Sequence, residues 1–381
     1  MNGAHALVPI EGECETGFES LREVFEENFR SRGEVGAAVC VYKKGKKVVD
    51  LWGGYCDAEK TTPWRKDTIV CMMSTGKAMA SLCALILIER GQLDLAARVA
   101  DYWPEFGQAG KEEMSVEQLM GGLAGLLYLD QAPKGSMLNW EVMIKALEKQ
   151  QPEWPVGTRG AYHSMTWGYL VGELVQRVAK RNFAAFFREA VTAPLNADYQ
   201  FGLRDEDLPR VSDLIPNPDS VTLNAMKVPA SNLGRAWRVM PETPDFFNSL
   251  EFRRAVFASA NGHGNAAALA RIYALLAEGG ELDGVKLLSR ELIDRARTAQ
   301  WEGACGLTNR EFKYGLGFMI NKSPITPMGA NPKNFGHPGA GGAIGIADVE
   351  SRLSFSYSPN FMCSGEGVGE RCTALVKAAL G

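Results

Sequence analysis

Apolar residues recur at helical spacing over several segments of the chain. In residues 18–32 they form a stripe of Phe18, Leu21, Phe25 and Phe29, which is typical of a helix that packs on a core. The same spacing predicts further helices, which fall at residues 78–90, 115–120, 140–149, 165–179, 183–191, 266–277 and 368–380.

Strand patterns lie near both ends of the chain. Residues 35–42 and 46–52 are rich in Val, Ala and aromatic residues, and the turn at Gly45 between them predicts a β-hairpin. Near the C-terminus, further strands are predicted at residues 314–320, 342–348 and 353–357. By contrast, residues 208–240 are interrupted by four prolines and are predicted to be irregular.

Strands at both ends with helices between them predict that the two ends pair into one sheet. The expected fold class is α/β, in the α+β sense: a mixed antiparallel sheet flanked by helices, with a mostly helical subdomain beside it. We predict one unit over residues 1–381, with an α/β subdomain at about 1–80 and 265–381 and a helical subdomain at about 81–264.

Composition narrows the class of function. The net charge of −4, with both signs interspersed, gives no electrostatic case for binding nucleic acid or an anionic membrane. The eight cysteines form no CxxC and the four histidines are scattered, which argues against a metal site and favours reduced thiols. Residues 1–13 carry no recognisable secretory signal, and no apolar run has membrane length, so the sequence predicts a cytoplasmic protein.

Candidate chemistry begins at Ser74-Thr75-Gly76-Lys77. If a helix starts here, Ser74 and Lys77 lie on one face, about 5–6 Å apart at Cβ. A lysine whose amine is kept neutral by burial can take the proton of a serine hydroxyl and make it a nucleophile. Backbone N–H groups at a helix start can also stabilise an oxyanion. Alone, Ser-x-x-Lys is weak evidence, because most such matches are solvated surface.

Two further clusters add to this one. Tyr162-His163-Ser164 follows a Pro/Gly-rich loop, and the phenol of Tyr162 can pass a proton if a cation lowers its pKa. The run from Gly336 to Gly342 precedes an apolar strand, and its glycines permit close approach of the backbone to a ligand. Each also has a plain structural interpretation, as a half-buried tyrosine and as a glycine-rich turn.

Taken in order, the three clusters resemble the motifs of the serine β-lactamase and penicillin-binding-protein superfamily. The closer likeness is to class C β-lactamases and their esterase relatives, the family VIII carboxylesterase-like branch, which carry Tyr-x-Asn or Tyr-x-Ser and a third element such as His-x-Gly. Further segments of the sequence also resemble the family, at residues 87–95, 154–158, 261–265 and 335–342.

The resemblance implies a role for each matching residue. Ser74 is the expected acylated nucleophile, Lys77 holds or receives its proton, and Tyr162 is the partner base that activates Ser74 and later the deacylating water. The backbone N–H groups of Ser74 and Ala340 are expected to form the oxyanion hole. Contacts with substrate, or support for the catalytic groups, are expected from His337, Gly339, Ser164 and Trp154, with Ser164 hydrogen-bonded to Lys77. No cofactor or metal is implied, and no cofactor motif is present.

Two departures limit the likeness. Gly121-Gly122 stands where relatives often have a histidine, which predicts a roomier wall of the site. The third motif carries His337 in place of the lysine that class C lactamases use near the β-lactam carboxylate, which argues against a dedicated antibiotic-resistance enzyme.

We therefore expect a serine carboxylesterase that cleaves small, short-acyl esters through an acyl-enzyme, with weak β-lactam hydrolysis as a side activity. Two alternatives stay open. An acyltransferase would pass the same acyl group to an alcohol, and a non-catalytic β-lactam or peptidoglycan sensor would stay acylated. The oligomeric state is not predicted.

Overall fold

The computed structural model describes residues 8–381. Its strands are β1 (Ile10–Cys14), β2 (Gly36–Lys43), β3 (Lys46–Gly54), β4 (Ile69–Cys71), β5 (Tyr199–Gln200), β6 (Val211–Ser212), β7 (His263–Gly264), β8 (Glu281–Leu282), β9 (Val285–Lys286), β10 (Trp301–Ala304), β11 (Glu311–Tyr314), β12 (Met319–Ile320), β13 (Phe335–Pro338), β14 (Ile344–Asp348) and β15 (Leu353–Pro359).

Helices separate these strands. The α-helices are α1 (Glu19–Ser31), α2 (Thr75–Glu89), α3 (Val99–Tyr102), α4 (Val116–Met120), α5 (Trp140–Lys149), α6 (Trp167–Ala179), α7 (Phe183–Phe187), α8 (Ala193–Leu195), α9 (Val221–Met226), α10 (Asn232–Ala236), α11 (Leu250–Arg254), α12 (Ala266–Ala277), α13 (Arg290–Ala296) and α14 (Gly369–Leu380). Short 3-10 turns lie at Pro104–Phe106, Leu208–Arg210 and Phe246–Asn248, and a π-helical turn lies at Arg188–Thr192.

The main sheet joins the two ends of the chain, as the sequence predicts. Its nine strands run in the order β1-β3-β2-β15-β14-β13-β12-β11-β10, and every neighbouring pair is antiparallel. The two ends meet where β2 pairs with β15, in a register that sets Lys43 opposite Leu353 and Ala37 opposite Pro359. The fold class predicted from the sequence is confirmed.

Helices cover both faces of this sheet. Ser354 of β15 donates a hydrogen bond from Oγ to the Ala270 carbonyl of α12. Tyr357, three residues further along, bonds Glu34, which also pairs with Arg371 of α14 at 2.6 Å. Because side chains an odd number of residues apart point to opposite faces of a strand, α12 and α14 lie on opposite sides.

A small second sheet positions the candidate nucleophile. β4 pairs with β6 in parallel and with β7 antiparallel, and β5 completes the sheet beyond β7. β4 ends at Cys71, three residues before Ser74, so it delivers the chain to the start of α2. α2 is buried along most of its length and packs against α6, which places this helix start deep in the molecule.

Some predicted boundaries are wrong. The strand predicted over residues 314–320 is two strands, because a tight turn at Gly315–Gly317 separates β11 from β12 and Gly317 has φ +79°. The helix predicted over residues 183–191 changes to a π-helical turn after Phe187. β1 and β10, which occupy the two edges of the main sheet, were not predicted, and the proposed subdomain limits stay a prediction.

Within residues 8–381, no helix is both long enough and apolar enough to cross a bilayer.

Candidate active site

Ser74 stands at the junction between strand β4 and helix α2. Met73, directly before it, has a left-handed backbone with φ +46°, a conformation that costs a side-chain-bearing residue free energy and is held by its surroundings. Ser74 itself is helical in conformation and occupies the N-cap position of α2, but its hydroxyl makes no capping hydrogen bond. The serine is therefore presented at the wall of a cavity, with the helix start behind it.

Lys77 lies one turn into α2 and is completely buried. Its Nζ lies 2.9 Å from Ser74 Oγ and 2.6 Å from the carbonyl oxygen of Ser259. Neither neighbour is charged, so burial acts unopposed and holds the pKa of the Lys77 amine well below its usual 10.5. A neutral amine in this position can accept the serine proton.

Tyr162 lies on the same cavity wall as Ser74. Lys77 Nζ lies 4.9 Å from the centre of the Tyr162 ring. Burial raises the pKa of the phenol, and the nearby Ser74 hydroxyl opposes that rise in part, so the resting side chain is a neutral phenol. The structure thus brings Ser74, Lys77 and Tyr162 together from segments nearly ninety residues apart.

Ser74 and Ala340 both line the cavity. Within residues 8–381, neither of their backbone amides donates a hydrogen bond to a protein acceptor. Gly339 packs closely on the segment before Ser74, because a Cβ at this position would overlap the Met72 carbonyl oxygen. This arrangement fits the predicted oxyanion hole.

Ser164 does not hold Lys77, which corrects the expectation from the sequence. Its Oγ accepts a hydrogen bond from the indole Nε1 of Trp237 at 2.9 Å. The bond expected from Ser164 to the amine is instead made by the Ser259 carbonyl. Ser164 does line the cavity, as does Trp237.

His337 does not border the cavity as expected. The side chain is fully buried behind Tyr162, with ring centres 5.8 Å apart. Nδ1 lies 2.7 Å from the Pro338 carbonyl oxygen, whereas Nε2 has no protein partner in the described chain. Burial, with the nearby Lys77 adding to it, lowers the pKa of His337 to about 3, so this ring is neutral. A neutral, enclosed imidazole is unsuited to binding a substrate carboxylate.

Two more expectations about the wall need correction. Trp154 is absent from the described residues that line the cavity, because it packs on Gly306 and donates from Nε1 to the Arg159 carbonyl at 2.9 Å. Gly121-Gly122 does not leave open space. A Cβ on Gly121 would lie 2.9 Å from the Glu117 carbonyl oxygen and 3.0 Å from the Gln300 side chain.

The cavity measures about 340 Å³ and is mostly apolar. Its apolar wall comes from α9, α10 and the strands near β11, including Val221, Met226, Leu233, Trp237, Leu307, Phe312, Met319 and Ile325. Such a wall suits a small, largely apolar organic molecule. In residues 8–381, no cluster of three His, Cys, Asp or Glu residues is placed to hold a metal ion.

Sequence reasoning missed Ser259 and Trp237. Ser259 contributes to the site through its backbone carbonyl, which no side-chain pattern signals. Its Oγ accepts from the Gly168 amide at 2.6 Å and donates to the Met165 carbonyl at 2.5 Å, which ties it to the segment after Tyr162-His163-Ser164. Trp237 lies in the stretch that the sequence described only as irregular.

The antiparallel sheet, together with a serine and lysine at the start of a buried helix, defines the class of serine β-lactamases and penicillin-binding proteins. The Beta-lactamase family model matches residues 21–377, and the chain belongs to this family.

Three relatives place the chain more narrowly. The "Esterase/beta-lactamase LipL" of Mycobacterium tuberculosis is 32% identical, over 95% of this chain and 86% of LipL. The crystal structure of a family VIII carboxylesterase superposes with a TM-score of 0.89 at 33% identity, over 97% of this chain and 99% of that one. The crystal structure of a penicillin-binding-protein homologue from Caulobacter crescentus superposes with a TM-score of 0.87 at 35% identity, over 97% of this chain and 99% of that one.

Proposed function

We propose that the protein is a serine carboxylesterase that cleaves small, short-acyl esters through an acyl-enzyme on Ser74. The observation that carries the proposal is the 2.9 Å contact between Ser74 Oγ and the buried, uncharged amine of Lys77, at the wall of an apolar cavity. Relatives described as a carboxylesterase and as an esterase/β-lactamase support the assignment.

In the acylation step, Lys77 is the resting base because its pKa is lowered, whereas that of Tyr162 is raised. Lys77 takes the Ser74 proton as Oγ attacks the ester carbonyl, and the amides of Ser74 and Ala340 hold the oxyanion. When the intermediate collapses, the leaving alkoxide takes the phenolic proton of Tyr162. The acyl-enzyme then has a Lys77 ammonium beside a Tyr162 phenolate, and each charge stabilises the other.

Deacylation restores both groups. The Tyr162 phenolate takes a proton from water, and the resulting hydroxide attacks the acyl carbon. As the second intermediate collapses, the Ser74 oxygen leaves and takes the proton from Lys77. Every proton is thereby returned, and the enzyme ends with neutral Lys77, Tyr162 and Ser74. In this scheme Tyr162 is the deacylating base that the sequence predicts, whereas the first activation of Ser74 is assigned to Lys77.

The proposal is tested with p-nitrophenyl acetate and butyrate on purified protein. Wild type should release nitrophenolate with steady turnover, and intact-mass spectrometry of quenched samples should detect acyl addition. Ser74→Ala should lose both signals. Thr75→Ser, which changes the neighbouring buried hydroxyl, is the matched control and should keep turnover. Persisting turnover in Ser74→Ala would remove the assignment.

Acyl transfer to an alcohol is a second candidate, which the cavity volume of about 340 Å³ favours because a short ester leaves room for an acceptor. Added short alcohols would then speed nitrophenolate release and yield a new ester. The sensor alternative is disfavoured by a phenol beside Ser74, since a permanently acylated protein has no use for a deacylating base. Weak β-lactam hydrolysis is compatible with the same oxyanion donors.

We further propose that the protein acts in the cytoplasm on a small-molecule substrate, without nucleic acid or membrane partners. All eight cysteines are free thiols, which supports a reducing compartment. Fractionation of cells that express a tagged chain, with enzymatic markers for each compartment, tests the location.

A further inference from the structure

Charge is unevenly distributed on the wall of the active-site cavity. Of the described residues that line it, only Arg310 has a charged side chain, and the others are apolar or neutral. The Arg310 side chain is 29% exposed, so it lies at the rim and has not been withdrawn from solvent. A lone cation on an otherwise neutral wall is a candidate for recognising one end of the substrate.

Arg310 lies directly before β11, on the part of the sheet that contributes to the cavity wall near Tyr162. Arg310 continues the ladder of β11, since the Cys305 amide donates to its carbonyl at 2.9 Å. Phe312, two residues on, projects from the same face, and its ring centre is 6.2 Å from that of Tyr162. Two residues of strand span about 6.6–6.8 Å. Arg310 therefore lies next to Phe312 on the cavity wall that also contains Tyr162.

Most of the Arg310 donors are available. One terminal nitrogen pairs with Glu366 Oε1 at 2.9 Å, and within residues 8–381 the guanidinium makes no other ion pair or hydrogen bond. Glu366 is outside the cavity lining and 48% exposed. Pairs this exposed to water are weak. A planar guanidinium with free N–H groups can bind a carboxylate through two parallel bonds without first being released from Glu366.

We propose that Arg310 is a specificity-determining residue that binds a carboxylate on the substrate, so that the preferred esters are half-esters of short dicarboxylic acids. The scissile carbonyl lies at Ser74, a few methylene groups cross the apolar wall at Phe312, and the free carboxylate meets Arg310. This inference rests on the proposed esterase function and adds to it the class of acyl group.

The test compares two esters of equal acyl length, monophenyl adipate and phenyl hexanoate, which differ in the terminal carboxylate. Phenol release gives kcat and KM for both substrates with wild type, Arg310→Met and Lys313→Met. Lys313→Met is the matched control, because it removes a cation of β11, three residues after Arg310 and outside the cavity lining. Hydrolysis of phenyl hexanoate reports, in each preparation, whether the variant is folded and active.

Arg310→Met should lower kcat/KM for monophenyl adipate at least about tenfold, the loss expected for a charge-assisted hydrogen bond, mainly through a higher KM. The kcat/KM for phenyl hexanoate should change less than about twofold in Arg310→Met. In Lys313→Met, the ratio of kcat/KM for the two substrates should stay near that of wild type. The inference is overturned if Arg310→Met leaves that ratio unchanged or if both cation variants lower it equally. If wild type hydrolyses neither ester faster than Ser74→Ala does, the proposed function itself fails.

Discussion

The carbonyl oxygen of Ser259 lies 2.6 Å from Nζ of Lys77. A carbonyl accepts a hydrogen bond from a neutral amine as well as from an ammonium, so it fixes the position of Nζ without adding a negative charge. A carboxylate in the same place would raise the pKa of Lys77 and keep it protonated. The Ser259 carbonyl thus orients the amine and leaves burial free to keep it neutral.

The first prediction is that the buried Lys77 lowers the stability of the folded protein. Lys77→Met should unfold at a temperature a few degrees higher than wild type while losing esterase activity, because a buried amine without a charged partner is replaced by an apolar chain of similar length. Thermal unfolding followed by circular dichroism measures the shift. A lower unfolding temperature for Lys77→Met would mean that the amine stabilises the fold.

The stability difference should also depend on pH in a definite direction. The folded-state pKa of Lys77 is below the unfolded value of 10.5, so between the two the unfolded chain binds a proton that the folded chain does not. Wild-type stability from this group therefore rises with pH across that window, and the advantage of Lys77→Met shrinks as pH approaches 10.5. Denaturant titrations at pH 7 and pH 9.5 check this, and an advantage that grows with pH would contradict the lowered pKa.

The second prediction separates the two proton transfers assigned to Tyr162. With p-nitrophenyl butyrate the leaving group is a weak base and needs no proton, so Tyr162→Phe should still form the acyl-enzyme. In wild type the Tyr162 phenol then loses its proton to solvent, because the Lys77 ammonium beside it stabilises the phenolate. The variant has no phenol to act as this base toward water, so deacylation should slow at least about a hundredfold. Stopped-flow absorbance should then record a burst of one nitrophenolate per enzyme before slow turnover.

The matched control for this variant is Phe312→Leu, which changes the aromatic neighbour of Tyr162 and leaves the phenol in place. It should turn over without a stoichiometric burst. A Tyr162→Phe enzyme with near-normal steady-state turnover would show that another group activates water.

The third prediction addresses the close approach of Gly339 to the segment before Ser74. Gly339→Ala should reduce kcat/KM at least about tenfold, because the new methyl would overlap the Met72 carbonyl and push the Ala340 amide out of the proposed oxyanion hole. Ala340→Ser, which keeps the amide and adds only a hydroxyl, is the comparison variant. Equal activity of Gly339→Ala and wild type would show that the strand can shift without cost to catalysis.

Much of this fold follows from local patterns in the sequence. The hairpin around Gly45 and the helices at residues 140–149 and 266–277 were predicted at or within two residues of their bounds, since each has a clear period and its own capping or turn residue. The edge strands β1 and β10 escaped prediction because they are short and largely exposed, so that they lack the alternation of buried strands.

The same distinction applies to the site residues, some of which are predicted by local motifs while others depend on packing. The sequence identified Ser74, Lys77 and Tyr162, which the structure brings to one place, because those side chains belong to motifs. It failed for His337 and Ser164, whose neighbours come from distant parts of the chain and depend on packing. The Ser259 carbonyl illustrates the limit, since a backbone acceptor leaves no trace in the residue type.

The last prediction concerns the bond between Ser164 and Trp237. Because Ser164 does not hold Lys77, Ser164→Ala should leave the acylation rate within about tenfold of wild type, but it removes the acceptor of the buried Trp237 indole N–H. An unsatisfied buried donor costs about 1–3 kcal/mol, so the variant should be less stable by that amount. Trp237→Phe in the same background removes the orphaned N–H, and the double variant should lose less stability than the two single losses added together. Single-turnover release of nitrophenolate, with enzyme in excess over substrate, measures the acylation rate, and urea titrations of all four proteins measure the coupling. Strictly additive losses would show that the two side chains do not interact. A Ser164→Ala enzyme that cannot be acylated would return Ser164 to the lysine-holding role expected from the sequence.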